Sequence, residues 1–233
     1  MKPAVPRSAM TVLEAVSRAP LFKGLPEDVV RECAAVARPV NLRKGQRLFS
    51  RGDPGHTMFI IVKGLIEISL TSGDGRKISL NVMEPGTCFG EISMLDGHPR
   101  SADAMAGAAT SLLSIPRDGF LAVARRHSEL ALSLTRALSD RVRWISDSVE
   151  EFALLSIDRR LARRLLILFD RFADDQGALA ISQGDLADFA GATRETTNRV
   201  LSSWRKRGWL AMGRKKITLL ERDSLDSFAM NRE

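Results

Sequence analysis

The chain contains 233 residues, 44% of them hydrophobic, which is enough to bury a core and to form one or two domains. Its 35 basic residues exceed its 28 acidic residues, and the resulting net charge of +7 allows a polyanionic partner. No apolar run approaches the length of about 18 residues that spans a bilayer, and the N-terminus lacks the apolar core of a signal peptide. We therefore expect a soluble, cytoplasmic protein.

The cysteines and histidines do not form the spacing of a metal or redox site. Cys33 and Cys88 are far apart, which fits a reducing compartment, and two thiols are too few for a [4Fe-4S] cluster with its need for about four ligands. His56, His98 and His127 are scattered, which favours surface or structural roles. We predict no metal, haem or iron–sulfur cofactor.

The N-terminal half predicts two short helices followed by a β domain. Thr11–Ser17 and Glu27–Val36 have helical patterns and are separated by a Gly- and Pro-containing turn. From Arg38 onward, short apolar or alternating runs are interrupted by Gly and Pro about every eight to twelve residues, the pattern of an antiparallel sandwich. We predict a small jelly roll. Its expected strands are Gln46–Ser50, Met58–Val62, Leu65–Leu70, Lys77–Val82 and Thr110–Ile115, with a hairpin turn at Ser72-Gly73-Asp74-Gly75.

The segment from Phe89 to Ala102 carries the residue types of a nucleotide site. Gly90 allows a close approach of the backbone to a ligand, and the following helical turn presents free N–H groups to an anion. Arg100 can hold two phosphate oxygens, and Glu91 suits a sugar hydroxyl. A phosphate and a ribose together indicate a nucleotide. The same residue types equally allow a Glu91–Arg100 salt bridge across a β turn.

The next segment, Glu129–Leu155, predicts one long helix because it contains neither Pro nor Gly. Its apolar residues recur at spacings of four and three, the seam that two parallel helices bury against each other in a dimer. An amphipathic helix packed on its own domain is the alternative. The seam consists of Leu138, Val142, Ile145, Val149 and Phe152.

Beyond a predicted hinge at Phe152–Ser156, the sequence indicates a winged helix-turn-helix. Arg159–Phe172 is an amphipathic helix, Ser182 caps a short helix ending near Phe189, and Thr193 caps the next one after a Gly-containing turn. The stretch between Ala192 and Lys216 contains eight basic residues and one acidic residue, Glu195. Two apolar runs, Trp209–Met212 and Ile217–Leu220, flank a cationic tip and predict a β wing suited to phosphates.

The second helix of this pair carries charges that can read bases. Arg194, Glu195 and Thr196 occupy its first turn, and Arg199 lies one turn beyond Glu195, whereas Leu201 and Trp204 should face inward. An Arg reads guanine and a Glu accepts from the cytosine amino group in a major groove. A solvated charged face is the alternative. The predicted DNA-contacting residues are Arg194, Glu195, Thr196, Arg199, Lys206, Lys215 and Lys216.

These motifs resemble a known family. Gly-Glu-Ile-Ser, a short gap and Pro-Arg-Ser-Ala is similar to the phosphate-binding cassette of cyclic-nucleotide-binding domains. With the long helix and the helix-turn-helix, the chain from about Leu21 to its end resembles the CRP/FNR transcription regulators. The resemblance implies contacts of the recognition helix with TGTGA half-sites. It also implies nucleotide contacts by Gly90, Glu91, Ile92, Arg100, Ser101, Asn81, Ile145 and Ser146.

Two positions depart from the family's cAMP-binding pattern. Ile145 stands where those members carry Thr, and Asn81 stands where they carry Ser. The sequence therefore leaves the identity of the ligand open among cAMP, cGMP and a cyclic dinucleotide, with cAMP expected first. A regulator of this fold that has lost its ligand is a further alternative.

We predict an α+β protein with three parts and no enzymatic activity. Residues 1–128 form a cyclic-nucleotide-binding jelly roll, 129–155 a dimerisation helix and 156–233 a winged helix-turn-helix domain. The expected function is that of a homodimeric, cyclic-nucleotide-gated transcription regulator that binds double-stranded DNA and acts with RNA polymerase. A nucleotide-dependent protein of another class, such as a phosphodiesterase, is the alternative, although no metal-ligand cluster or Ser-His-Asp set accompanies the cassette.

Overall fold

The computed structural model describes residues 10–230, which group into two compact units. Within these residues, the first unit comprises 10–69 and 82–142, and the second comprises 70–81 and 143–230. The division between the units falls within the long helix. The predicted three-part division at residues 128 and 155 stays a prediction.

The first unit begins with helices that the local sequence specifies. Helix α1 (Val12–Arg18) starts at a capping box, in which the Thr11 hydroxyl accepts from the Glu14 N–H and the Glu14 carboxylate accepts from the Thr11 N–H. A 3₁₀ turn at Pro20–Phe22 leads to α2 (Glu27–Val36), whose bounds match the predicted ones.

Within residues 10–230, eight strands of the β domain form two four-stranded antiparallel sheets, which confirms the predicted β domain. Their orders are β1-β8-β3-β6 and β2-β7-β4-β5. The turn at Ser72 closes the predicted hairpin, with the Ser72 N–H donating to Arg76 O. The strands are β1 (Arg38–Leu42), β2 (Arg47–Phe49), β3 (Thr57–Lys63), β4 (Ile66–Thr71), β5 (Lys77–Met83), β6 (Cys88–Phe89), β7 (Asp103–Ala106) and β8 (Thr110–Pro116).

In the described part of this unit, two clusters of buried apolar side chains form the core. One lies where the helices pack on the first sheet and contains Phe22, Phe120 and Leu130. The other contains Phe59 and Phe89, whose rings stack 5.4 Å apart. Because Phe89 directly precedes the predicted cassette, this packing fixes the start of the candidate site. The unit also contains α3 (Glu91–Asp96) and α4 (Arg117–Arg126).

The long helix α5 (Ser128–Leu154) is one unbroken element, offset by one residue at each end from the prediction. Its first turns bury Leu130 and Leu134 in the core of the first unit. Farther along, Val142 is 62% exposed and Val149 is 61% exposed. Of the predicted seam, Leu138 packs against the core of the first unit, whereas Val142, Ile145 and Val149 are exposed.

The second unit contains the predicted helix-turn-helix and wing, together with two elements that the sequence patterns did not indicate, a short strand and a terminal helix. Trp204 and Phe228 make an edge-to-face contact, with ring centroids 6.0 Å apart. The sheet has the order β10-β11-β9. The elements are α6 (Ile157–Phe172), β9 (Ala178–Leu179), α7 (Gln183–Ala190), α8 (Arg194–Lys206), β10 (Leu210–Gly213), β11 (Lys216–Leu219) and α9 (Arg222–Met230).

Candidate functional site

Gly90 sets the geometry at the start of the predicted cassette. It precedes α3 with a φ of 74°, in the left-handed region that favours glycine. A Cβ at this position would lie 2.7 Å from Nη1 of Arg100. The structure thus brings Gly90 and Arg100 into contact, as the sequence predicted for one site.

The Arg100 side chain is only 5% exposed, and the protein holds its guanidinium on several sides. Nη1 donates to Gly90 O at 2.8 Å and to Ser93 Oγ at 3.1 Å, and Nη2 donates to Thr57 O at 2.7 Å. The ring of Phe49 lies 4.3 Å from the guanidinium carbon. Burial lowers the pKa of Arg100, while the carboxylates of Glu91 and Asp53 oppose this change.

Glu91 is also buried, at 7% exposure, and it pairs with a residue that the sequence reasoning missed. Its Oε1 lies 3.7 Å from Nε of Arg141 on α5. Arg100 bonds to backbone and serine oxygens instead, so the Glu91–Arg100 salt bridge is not formed in the described part of the chain. One signal could have indicated Arg141, because it precedes the predicted base contact Ile145 by one helical turn.

Two buried polar atoms of this site have no hydrogen-bond partner within residues 10–230, Nε of Arg100 and Oε2 of Glu91. Buried polar groups are nearly always paired, so such atoms call for a missing partner. A phosphate oxygen would accept from the Arg100 N–H, and a sugar hydroxyl would donate to Glu91. The residues present therefore fit a nucleotide.

The other predicted nucleotide contacts are less constrained. In the first unit, Ile92 and Ser101 are exposed on and just after α3. Asn81 lies in β5, and Ile145 and Ser146 lie on the part of α5 that groups with the second unit. Their roles in binding stay predictions.

The helix-turn-helix has the predicted caps. Ser182 Oγ accepts from the Asp185 N–H, and Thr193 Oγ1 accepts from the Thr196 N–H. Between them, Gly191 ends α7 with a φ of 62°. Helix α8 exposes Arg194, Glu195 and Arg199, leaves Thr196 half-buried, and buries Leu201 and Trp204, as expected.

A buried arginine supports the turn between these two helices, and sequence reasoning did not find it. Nε of Arg160 donates to Ala190 O at 2.7 Å, and Nη2 donates to Gly191 O at 3.3 Å. The guanidinium also stacks on Phe152 at the end of α5, 4.6 Å from the ring centroid. Phe152, predicted as a seam residue, therefore packs against the turn that precedes the recognition helix.

The wing presents cations at a strained tip. Lys215 has a φ of 53°, a backbone angle that residues other than glycine rarely adopt. Lys206 and Lys215 are exposed. Nζ of Lys216 lies 3.6 Å from the Asp174 carboxylate, which offsets part of its charge and makes it the weaker candidate for a phosphate contact.

The cysteines and one histidine have structural surroundings. Burial raises the pKa of Cys33 and of Cys88 to about 12, so both thiols are protonated at neutral pH. Nε2 of His127 lies 3.2 Å from Glu32 Oε1. Within residues 10–230, no group of three or more His, Cys, Asp or Glu could hold a metal ion, and none of the helices there is both long and apolar enough for a bilayer.

Comparisons with known proteins agree with this arrangement. Residues 39–127 match the cyclic nucleotide-binding domain, and residues 159–228 match the Crp-like helix-turn-helix domain. The cyclic AMP receptor protein of Thermus thermophilus is 32% identical over 212 residues, which cover 90% of this chain and 96% of the relative.

Two further relatives extend over most of the chain. The CRP-like cAMP-activated global transcriptional regulator of Mycobacterium tuberculosis is 28% identical over 217 residues, covering 91% of this chain and 97% of the relative. The structure of FixK2 from Bradyrhizobium japonicum is 25% identical with a TM-score of 0.73, and the match covers 85% of this chain and all of FixK2. The cassette, the helix-turn-helix and this similarity together show that the chain belongs to the CRP/FNR family of transcription regulators.

Proposed function

We propose that the chain is a homodimeric transcription regulator whose affinity for DNA is raised by a cyclic nucleotide, cAMP before cGMP or a cyclic dinucleotide. The observation that carries the proposal is the pair of buried, unpartnered atoms, Arg100 Nε and Glu91 Oε2, in one site. A cyclic phosphate and a ribose hydroxyl supply the two missing partners.

The long helix supports the dimeric part of the proposal. Val142, Ile145 and Val149 are exposed at seam spacing, and an exposed apolar stripe of this kind is stabilised by a second copy. A nucleotide that favours one arrangement of the two helices would shift the population toward the form whose recognition helices are one DNA turn apart. Sedimentation velocity should give a dimer, and Val142→Glu with Val149→Glu should give a monomer.

The exposed charges of α8 support recognition of TGTGA-like palindromes. Arg194, Glu195 and Arg199 face away from the domain core, whereas Leu201 and Trp204 are buried in it. A regulator of this kind acts in the cytoplasm with RNA polymerase, and both belong to the proposal. The enzyme alternative is set aside because the relatives are transcription regulators.

A regulator with no effector is the second candidate, and Ile145 and Asn81 favour it because neither offers the hydroxyl of the cAMP-binding pattern. Titration calorimetry with cAMP, cGMP and a cyclic dinucleotide distinguishes the two. Fluorescence anisotropy on a TGTGA palindrome, with and without the nucleotide that binds, then tests the gating.

Arg100→Ala is the matching variant for the calorimetry. Loss of one partner of a buried charge pair costs about 2–5 kcal/mol, so affinity should fall by about thirtyfold or more. Unchanged affinity in a folded variant would remove the site from the proposal. Binding of DNA alike with and without every nucleotide tested would favour the effector-free candidate.

A further inference from the structure

The three hydrogen bonds of the Arg100 guanidinium all lie on its terminal nitrogens. Both N–H groups of Nη1 are used, by Gly90 O and Ser93 Oγ, and one N–H of Nη2 is used by Thr57 O. A guanidinium has five N–H donors in a fixed fork. The two that remain are the Nε–H, which is buried without a partner, and the second Nη2–H.

When Thr57 O takes the Nη2–H that faces Nη1, these two donors form one edge of the guanidinium plane. Nε–H and the neighbouring Nη2–H point the same way, and such a parallel pair matches two oxygens of one phosphate. The other three N–H groups already donate to protein oxygens. An incoming phosphate can therefore take both open donors without breaking any of the three existing bonds.

We propose that Gly90 O, Thr57 O and Ser93 Oγ form a cradle that aims the Nε/Nη2 edge of Arg100 at the phosphate, and that Ser93 is its positioning residue. The inference rests on the proposed function, since it concerns how that site holds a cyclic phosphate. Ser93 is the only one of the three acceptors that belongs to a side chain, so it is the only one that substitution can remove.

The surroundings of Ser93 are built to keep its hydroxyl in place. Ser93 is buried, and an ideal Cβ on Gly55 would overlap both the Cβ and the Oγ of Ser93 and would lie 3.4 Å from Arg100 Cδ. Only a residue without a side chain leaves this space at position 55. Phe49 covers one face of the guanidinium, which limits its rotation.

The cradle makes the ligand-free site resemble the bound one. Orientation fixed before binding is not lost on binding, which raises affinity without a new contact. Without the Ser93 hydroxyl, one Nη1–H loses its acceptor, and the guanidinium gains other orientations that bring this donor to a partner. Ser93→Ala should therefore weaken phosphate binding although Ser93 itself does not touch the ligand.

The test is titration calorimetry on the full chain with cAMP and with the Sp and Rp phosphorothioate analogues, which carry sulfur at one or the other exocyclic position. Ser93→Ala should bind cAMP about tenfold more weakly, as expected for loss of a bond to a charged donor. It should also change the Sp/Rp affinity ratio by about threefold or more, because a rotated guanidinium meets the two positions differently. Gly55→Ala displaces the same hydroxyl and should change both quantities in the same direction.

Ser69→Ala is the matched control, since Ser69 is another buried serine of the β domain, and it should leave both quantities unchanged. The wild type offers a second measurement, in which the Arg100 Nε–H resonance should move downfield on addition of cAMP. Failure of the wild type to bind any cyclic nucleotide would overturn the proposed function. Normal wild-type binding with an unchanged ratio in Ser93→Ala, or with a stationary Nε–H resonance, would overturn this inference alone.

Discussion

Nε of Arg141 lies 3.7 Å from Oε1 of Glu91, so the long helix supplies the cation that faces the carboxylate of the candidate ribose site. Glu91 belongs to α3 and Arg141 to α5, fifty positions later in the chain. The pair is mostly buried, with side-chain exposures of 10% for Glu91 and 22% for Arg141. A change in the position of α5 would therefore directly change the ion pair between Arg141 and Glu91.

The first prediction concerns this pair. Arg141→Gln leaves the Glu91 carboxylate without its cation, so cyclic-nucleotide affinity should fall about five- to tenfold and the free energy of unfolding by about 1 kcal/mol. Calorimetry and urea unfolding measure the two effects. Arg143→Gln, at an exposed position two residues along the same helix, should change neither. Equal affinities for all three proteins would show that Arg141 has no part in binding.

Ile145 carries the second prediction, because an apolar side chain stands where the cAMP-binding pattern has a hydroxyl. Ile145→Thr should improve adenine over guanine preference several-fold, since one net hydrogen bond is worth about 1 kcal/mol. The dimer should become weaker. Calorimetry with cAMP and cGMP and sedimentation measure the two properties. Val149→Thr makes a similar change at another exposed seam position and should weaken the dimer alone. If selectivity does not move in Ile145→Thr, the base lies elsewhere.

The third prediction tests the contact between the end of α5 and the turn of the helix-turn-helix. A Cβ on Gly191 would lie 2.6 Å from Cε1 of Phe152, and the φ of 62° adds backbone strain. Gly191→Ala should therefore lower the free energy of unfolding by about 2–4 kcal/mol, which combines the strain and the overlap.

Two variants separate these causes. Gly208 has a φ of 78° and open space around it. Gly208→Ala should therefore lower the free energy of unfolding by the backbone strain alone, about 1 kcal/mol. In a Phe152→Ala background, which removes the overlap, Gly191→Ala should lower the free energy of unfolding by about as little as Gly208→Ala does. Urea unfolding gives all the values. A full cost of Gly191→Ala in the Phe152→Ala background would mean that the contact is unimportant.

The fourth prediction separates base contacts from phosphate contacts. Arg199→Ala should cost about 1–3 kcal/mol on a duplex with TGTGA and TCACA half-sites and little on a scrambled duplex, because a base contact carries sequence information. Lys215→Ala should weaken both complexes alike. It should also reduce the slope of log affinity against log salt by about one, since one fewer counterion is released.

A salt series by fluorescence anisotropy, at saturating nucleotide, measures these effects. Lys63→Ala, an exposed lysine at the end of β3, serves as the control for loss of a positive charge. Equal losses on both duplexes for Arg199→Ala would show that α8 is a nonspecific cationic face. Preference for another half-site would contradict only the sequence transferred from the family.

The fifth prediction concerns acid stability. A hydrogen bond from Arg222 lowers the pKa of Asp170, which joins α6 to α9. Because the folded-state pKa is depressed, the stabilisation is complete above the pH at which an unfolded aspartate ionises, and it is lost as the pH falls through the folded value. Arg222→Gln should lower stability at neutral pH and should have little effect in stronger acid, where Asp170 is protonated in both proteins.

Carboxyl NMR titration should show the Asp170 pKa rising toward its ordinary value in Arg222→Gln. Arg214→Gln removes an exposed charge at the wing tip and should leave that titration unchanged. An Asp170 pKa that does not respond to Arg222→Gln would assign the depression to another group.

The sequence by itself determined the features whose causes lie within a few residues. The bounds of α2 and α5, the caps at Ser182 and Thr193, and the hairpin at Ser72 follow from local patterns of apolar, capping and turn residues. Arg100 and Glu91 could be paired as a candidate site because the cassette is one short, continuous segment.

Tertiary structure alone decided the features whose partners are distant in the chain. Strands β1 and β7 lack a strong alternation and exist because they pair with β8 and β4, and α4 and α9 were likewise not indicated. Arg141 meets Glu91, and Arg160 meets the turn at Ala190, only after folding. No local pattern reveals that Arg100 donates a hydrogen bond to Thr57 O. A backbone carbonyl can accept at every position of a sequence, and it becomes a partner only where the fold brings a donor close to it.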